Sequence, residues 1–449
     1  MTSSYIPDSL VGGLRRLFRA GLFDIFGADA LNKVLTFVSG MIVVRLIPQE
    51  AYGVYSYAYN ILNIVLLFNG LGASSAILQF ASEKAFSGRR DAIEEIGVRI
   101  GFAFDLLLLV VMAALPFFVD LPVEGSGEML RLWCIYPCLQ LAYDIQLVSL
   151  RSSLRNREYA LCTNVNTTLV LLGSVSGAAM GGPYGLIVGR SLAMVMSVVT
   201  IAALFKVPEF LCAWARRRSP RAELSEEYRR PSDALDRAER RSFFGVAVTT
   251  AVNTGINQLV YYLGTAMIGA LTASAVDTAL FQTTLAIPTA LNFVPSTLAL
   301  FIYPYFARHK DEPGWVLKRY GQVIIATALL AGAVSVGISL FAPWILNTLY
   351  GESYVRGSEI LRILMIGWFF SATLRTIASN LLITQRRLAY GVAVAVASTI
   401  LIVVLNRLLV PTAGIVGAAW AQVIVYLASG LAYSAYFVLS VTRRGRGRQ

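Results

Sequence analysis

Apolar residues gather into blocks of about twenty along most of the chain, separated by short polar breaks. A helix of that length crosses the ~30 Å hydrocarbon core of a bilayer, so each block predicts a membrane span. The expected spans are 27–46, 55–80, 98–118, 129–150, 160–181 and 184–206, then 243–268, 278–307, 321–347, 358–384, 388–409 and 414–441. Lipid offers no partner for a loose backbone N–H or C=O, which makes helix the natural form of such blocks. The pattern therefore predicts an all-α polytopic membrane protein with twelve transmembrane helices.

The two sets of six echo one another. Leu154-Arg155-Asn156-Arg157-Glu158-Tyr159-Ala160 follows span 4, and Thr384-Gln385-Arg386-Arg387-Leu388-Ala389-Tyr390 follows span 10. Gly185-Leu186-Ile187-Val188-Gly189 opens span 6, and Gly414-Ile415-Val416-Gly417-Ala418 opens span 12. Both matches are offset by roughly 230 residues. Six spans is an even number, so the repeats point the same way and predict two parallel six-helix lobes around a central cavity. The expected layout is an amphipathic N-terminal segment (1–26), an N-lobe (27–206), a basic linker (207–242), a C-lobe (243–441) and a basic tail (442–449).

Composition agrees with the pattern. Hydrophobic residues are 56% of the 449 and charged residues 14%, whereas soluble domains carry about a quarter. The net charge of +12 would suggest nucleic acid in a soluble chain. Here the basic residues lie between apolar blocks and read as topology signals, so no nucleic-acid partner is expected. Thirty Lys and Arg fall in the N-terminus, alternate loops and C-terminus, while the opposite loops hold essentially Arg356 alone. That asymmetry predicts that both termini lie in the cytoplasm, on the inner side of the membrane. In 1–26, Leu10, Leu14, Leu17, Phe18, Leu22 and Phe23 recur at helical spacing among Arg15, Arg16 and Arg19, which predicts a helix lying on the lipid surface.

Enzymatic machinery is absent from the sequence. No nucleophile–base set, HExxH, Walker loop or dinucleotide turn occurs, and no extramembrane segment is long enough to house an active site. The chain is accordingly not expected to be an enzyme, and no cofactor or metal is called for. Cys134, Cys138, Cys162 and Cys212 read as small packing residues, and His309 stands in a charged loop.

Chemistry is left to polar residues inside the spans, which cost free energy in lipid and usually face the bundle interior. Lys33 in span 1 either holds a phosphate or pyrophosphate, or pairs with Asp29 and snorkels to the interface. Arg375 in span 10 and Asp144 in span 4 occupy nearly equivalent places. They either pair across the halves as a gate or pack locally. Asp105 in span 3 is either a proton or cation site or a buried, protonated or paired carboxyl. Polar stripes run along span 2 (Ser56, Asn60, Asn63), span 7 (Thr250, Asn253, Asn257, Tyr261) and span 8 (Gln282, Thr289, Asn292, Ser296). Interhelical hydrogen bonds explain such stripes, and so does a wet cavity shared by spans 1, 2, 7 and 8. Pro288 and Pro295 in span 8, with Gly70 and Gly72 in span 2, permit bending.

Lys33 through Phe37, Arg45 through Ser56, Gly70-Leu71-Gly72 and Gly414 through Ala419 resemble bacterial polysaccharide exporters and O-antigen flippases. These belong to the multidrug/oligosaccharidyl-lipid/polysaccharide exporter superfamily. The resemblance implies flipping of an undecaprenyl-pyrophosphate-linked oligosaccharide, with a surface-polysaccharide polymerase and glycosyltransferases as partners. Related lipid II flippases carry basic residues in span 1, and Lys33 falls at one such place; Ser39 stands where a second is common. Twelve spans rather than fourteen is a further departure, toward the oligosaccharide branch. On this reading Lys33, Arg375, Asn60, Asn63, Asn253, Asn257, Gln282 and Asn292 contact substrate, and Asp105 and Asp144 couple or gate. An ion-coupled drug exporter and a membrane scaffold for glycosyltransferases are the alternatives.

Overall fold

The computed structural model describes residues 22–83, 89–207, 235–309, 311–384 and 388–446. Most of the N-terminal segment, residues 208–234 of the linker, Cys212, Gln385–Arg387 and the end of the tail lie outside them. Every described element is helical or a turn, and each of the twelve expected spans is occupied by helix. Among the described residues, seven continuous helical stretches are long and apolar enough to cross a membrane. Two of these, Asn156–Phe205 and the stretch ending at Arg443, each hold two expected spans.

Those double helices are hairpins folded at a glycine. Gly182 has φ 56 and ψ −138, and Gly414 has φ 56 and ψ −141. A side chain at either place would sit in a region of φ/ψ space open essentially to glycine. The same turn thus recurs at about the repeat spacing, with Gly414 matching Gly182 rather than Gly185 in conformation.

Other spans are interrupted where the sequence withdraws a helical hydrogen bond or inserts a polar group. Span 8 divides into Ala275–Leu291 and Phe293–Arg308. Pro295 supplies no N–H to the carbonyl four residues earlier, at Leu291, where the first helix ends. Ser274 caps the first segment, its Oγ accepting from the Asp277 N–H at 3.1 Å. Span 2 is broken at Asn69–Gly72, and span 10 contains a π-helical turn at Ser371–Thr376.

Two compact units emerge from the packing. Unit 1 contains Phe68–Leu115 and Arg131–Val252 with the chain before Met41. Its core joins Ala76, Ile77 and Phe80 of span 2 to Ile93, Leu141, Ile145, Phe243 and Ala247. Unit 2 contains Met41–Leu67, Pro116–Leu130 and the chain from Asn253 onward. One of its cores gathers Ile302 and Phe306 of span 8, Tyr320, Leu381, Val394 and Phe437.

The helix Arg237–Thr272, which carries span 7, starts with a reciprocal cap. The Glu239 N–H donates to Asp236 Oδ1 at 2.7 Å, and the Asp236 N–H donates to Glu239 Oε2 at 2.9 Å. Arg89 reaches the other Glu239 oxygen at 2.5 Å. The Arg89 hydrogen bond, helped by the cap, holds the Glu239 carboxyl below the usual glutamate range. His309 stacks on Trp315 with ring centroids 4.2 Å apart, and Cys134, Cys138 and Cys162 are free thiols.

Candidate functional site

Asn60 of span 2 is buried, and its amide nitrogen donates to the Ser56 carbonyl at 2.7 Å and to Gln282 Oε1 of span 8 at 3.1 Å. These helices touch closely: a Cβ on Gly53 would stand 1.8 Å from the Ala275 carbonyl oxygen. The structure thus joins Asn60 to Gln282 within unit 2. Asn63, half-buried one turn further, donates to the Tyr59 carbonyl at 2.7 Å. Asn292 sits half-buried at the break in span 8, its carbonyl accepting from Ser296 Oγ at 2.8 Å. Asn253 is exposed on span 7, and the side chain of Asn257 lies outside the described residues.

Near the C-terminal end of span 1, Arg45 closes a helix. Its Nε donates to the Leu349 carbonyl at 3.0 Å and a terminal nitrogen to that of Thr348. These are among the last carbonyls of Ala342–Tyr350, where a cation meets the negative end of the helix dipole.

Arg375 is the deep cation of unit 2. The π-helical turn carries it, and such single wide turns recur at functional sites because they redirect one side chain. Its guanidinium donates to the Tyr261 hydroxyl at 2.5 Å and lies 5.2 Å and 5.5 Å from the ring centroids of Tyr261 and Tyr426. Among the described residues no carboxylate pairs with it. Aromatic faces hold a guanidinium without neutralising its charge. Tyr261 belongs to the stripe read from the sequence. Tyr426 does not, because one of three tyrosines in span 12 looks like any other core aromatic.

Lys33 lies on the helix Leu22–Leu46 with an exposed side chain; that of Asp29 lies outside the described residues. Asp105 is fully buried, and its Oδ1 accepts the Gly70 N–H at 2.7 Å. Asp144 accepts from Gln140 Nε2 at 2.9 Å and lies beside the Asn69 amide. Asp105 and Asp144 therefore meet around Asn69, within unit 1. Sequence reasoning passed over Asn69, although Asn-Gly is a turn signal in its own right.

Residues 18–310 match the family model described as "Polysaccharide biosynthesis protein". The chain belongs to this family. No curated protein matches it closely enough to add a named relative. Among solved structures, this member of the polysaccharide biosynthesis family is similar to an inward-facing multidrug resistance MATE transporter of the MOP superfamily. The TM-score is 0.71 at 15% identity, covering 92% of this chain and 96% of that one. Lipid II flippase MurJ, in an inward closed conformation, follows at TM-score 0.69 and 12% identity, covering 93% and 87%. A MOP superfamily transporter from Pyrococcus furiosus gives 0.60 at 13% identity, covering 96% of each chain. The family member therefore has the fold of MOP superfamily transporters and is a multi-pass membrane protein, as the resemblance implied.

Proposed function

We propose that this protein is a flippase that carries an undecaprenyl-pyrophosphate-linked oligosaccharide across the bacterial cytoplasmic membrane for surface-polysaccharide synthesis. The observation that carries the reading is Arg375, a deep cation held by tyrosine faces with no carboxylate pairing among the described residues. Diphosphate is the anion such a site suits, since a guanidinium presents planar paired donors to phosphate oxygens. Family membership supports a polysaccharide intermediate, and the fold is shared with a protein described as a lipid II flippase. A drug exporter for cations would instead place acids where Arg375 stands.

In this reading both termini are cytoplasmic, and two six-helix lobes (27–206 and 243–441) rock about a central cavity. Lys33 meets the diphosphate on the cytoplasmic side and Arg375 holds it during passage. Asn60, Asn63, Asn253, Asn257, Gln282 and Asn292 line the glycan path. Asp105 and Asp144 couple or gate the movement. The linker 207–242 contacts glycosyltransferases, and a polymerase consumes the product outside.

The test is translocation of a fluorescent undecaprenyl-diphosphate disaccharide in proteoliposomes, read by a membrane-impermeant quencher. The wild type is expected to move the lipid, and Lys33→Ala to slow it at least tenfold while remaining as abundant in the membrane. Equal quenching with and without the protein rejects the reading, and export of a cationic dye by the same vesicles selects the drug-exporter alternative.

A further inference from the structure

Span 2 does not cross as one helix. After Gln49–Leu66 the backbone leaves helical geometry, and Gly70, Leu71 and Gly72 take φ values of 57, 50 and 75 before Ala73–Ser82 resumes. Three left-handed residues in succession are rare, and a leucine enters that region only when its surroundings impose it. The break is enclosed on two sides. A Cβ on Gly70 would stand 2.5 Å from Leu141 Cδ1, and one on Gly72 would stand 2.3 Å from the Ala247 carbonyl oxygen. Along the chain, the passage from unit 2 to unit 1 falls at Leu67–Phe68, immediately before this break.

Polar groups stitch the break to spans 3 and 4. Asp105, fully buried, takes the freed Gly70 N–H at 2.7 Å. In the orientation that satisfies its surroundings, the Asn69 amide nitrogen donates to Asp105 Oδ2 at 3.0 Å and to the Pro137 carbonyl at 3.1 Å. Its oxygen then accepts the Leu141 N–H at 3.2 Å. Pro137 and Leu141 are a four-residue pair of the span 4 helix, so the amide is inserted into that helix's own ladder.

Asp105 and Asp144 thus lie on either side of the Asn69 amide. Among the described residues no Lys, Arg or His forms an ion pair with either. The titratable neighbours are both on span 4: the Cys138 thiol beside Asp105, and Tyr143 beside Asp144. The span 7 atoms nearest Gly72 belong to Ala247 and Ala251. Two neighbouring carboxyls with no cation paired to either among the described residues repel one another when both are charged.

We propose that Asn69–Gly72 is a latched hinge in which proton uptake by Asp105, beside Asp144, decides whether the break in span 2 is held. With the charge on Asp105, the Gly70 N–H and the Asn69 amide both donate to a carboxylate, and the break is fixed. With a proton on Asp105, the Gly70 N–H and the Asn69 amide donate to a neutral carboxyl, and both bonds fall to the strength of neutral ones. The hinge is then free to change its bend. This deepens the coupling role given above to the two acids and rests on that reading for its purpose, though not for its chemistry.

Hydrogen–deuterium exchange of the full-length protein in lipid nanodiscs tests the latch without any substrate. The peptide spanning 66–76 is followed between pH 5.5 and 8, corrected for intrinsic exchange. Wild type is expected to exchange about tenfold faster at the acid end, and Asp105→Asn to exchange fast at every pH. Asp144→Asn, which leaves Asp105 the only carboxyl, is expected to move the acid release to a different pH; this variant carries the test if Asp105→Asn does not fold. Exchange that is independent of pH in wild type, or an Asp105→Asn or Asp144→Asn profile identical to wild type, overturns the hinge. Such a failure leaves the flippase reading standing, and failed lipid translocation with intact pH-dependent exchange does the reverse.

Discussion

Gly53→Ala is the most direct probe of the contact between spans 2 and 8. The added Cβ would lie 1.8 Å from the Ala275 carbonyl oxygen, where carbon and oxygen normally stay about 3.3 Å apart. The obstacle is backbone at the start of a capped helix, so no side-chain rotation relieves it. Spans 2 and 8 must therefore separate by about 1.5 Å, an overpacking that costs about 1–3 kcal/mol. At 1.4 kcal/mol per tenfold, the close-packed arrangement becomes less favoured by roughly 5- to 150-fold. Seven residues along, Asn60 and Gln282 are joined at 3.1 Å, and the same separation breaks that bond. The assay is the reaction rate of an Asn60→Cys thiol with a membrane-impermeant maleimide, measured with and without Gly53→Ala in a background lacking the native cysteines. Asn60 is 3% exposed, so labelling is expected to be slow while Gly53 is kept. The Gly53→Ala substitution is expected to make it several-fold faster and to lower the melting temperature. Gly337→Ala, which meets nothing within 4 Å, serves as the control. Unchanged labelling and melting in Gly53→Ala would refute the crossing.

Two further outcomes follow from named contacts. Arg375→Lys keeps the charge but loses the flat face packed on Tyr261 and Tyr426; it is expected to weaken undecaprenyl-diphosphate binding by calorimetry less than Arg375→Ala does, and equal affinities in all three proteins would remove Arg375 from the site. Glu239 has a carboxyl held below the usual glutamate range, so its pairing with Arg89 stabilises the fold above the unfolded-state value and is lost as pH falls through the lower folded-state one. Glu239→Gln should therefore melt with less dependence on pH across the acid range than wild type, and the difference should shrink in high salt because the pair is partly solvated; identical pH profiles would discard it.

Much of the architecture was legible because lipid imposes simple rules. A run of about twenty apolar residues has one low-energy form in hydrocarbon, so the helices were readable from hydropathy alone. The repeat survived as Gly182 and Gly414, because a turn of that φ/ψ admits little besides glycine. Asp105, Asp144 and Arg375 were also legible, since an ionisable group inside a span is conspicuous by its cost.

Their partners were a matter for the tertiary structure. Nothing in the order of residues says that Asp105 accepts a backbone N–H from span 2, or that Asn69 enters the ladder of span 4. Leu71 carries no mark of its left-handed backbone, which packing and Asp105 impose from outside. Asn60 finds Gln282 across 222 positions of sequence, and Arg375 finds the Tyr426 ring, because packed helices choose neighbours by shape and not by order along the chain. The sequence by itself determined that this protein spans a membrane as helices in two repeats and which charges lie deep. Only the packed fold decided what each deep charge touches, because a hydrogen bond depends on a few tenths of an ångström that hydropathy cannot encode.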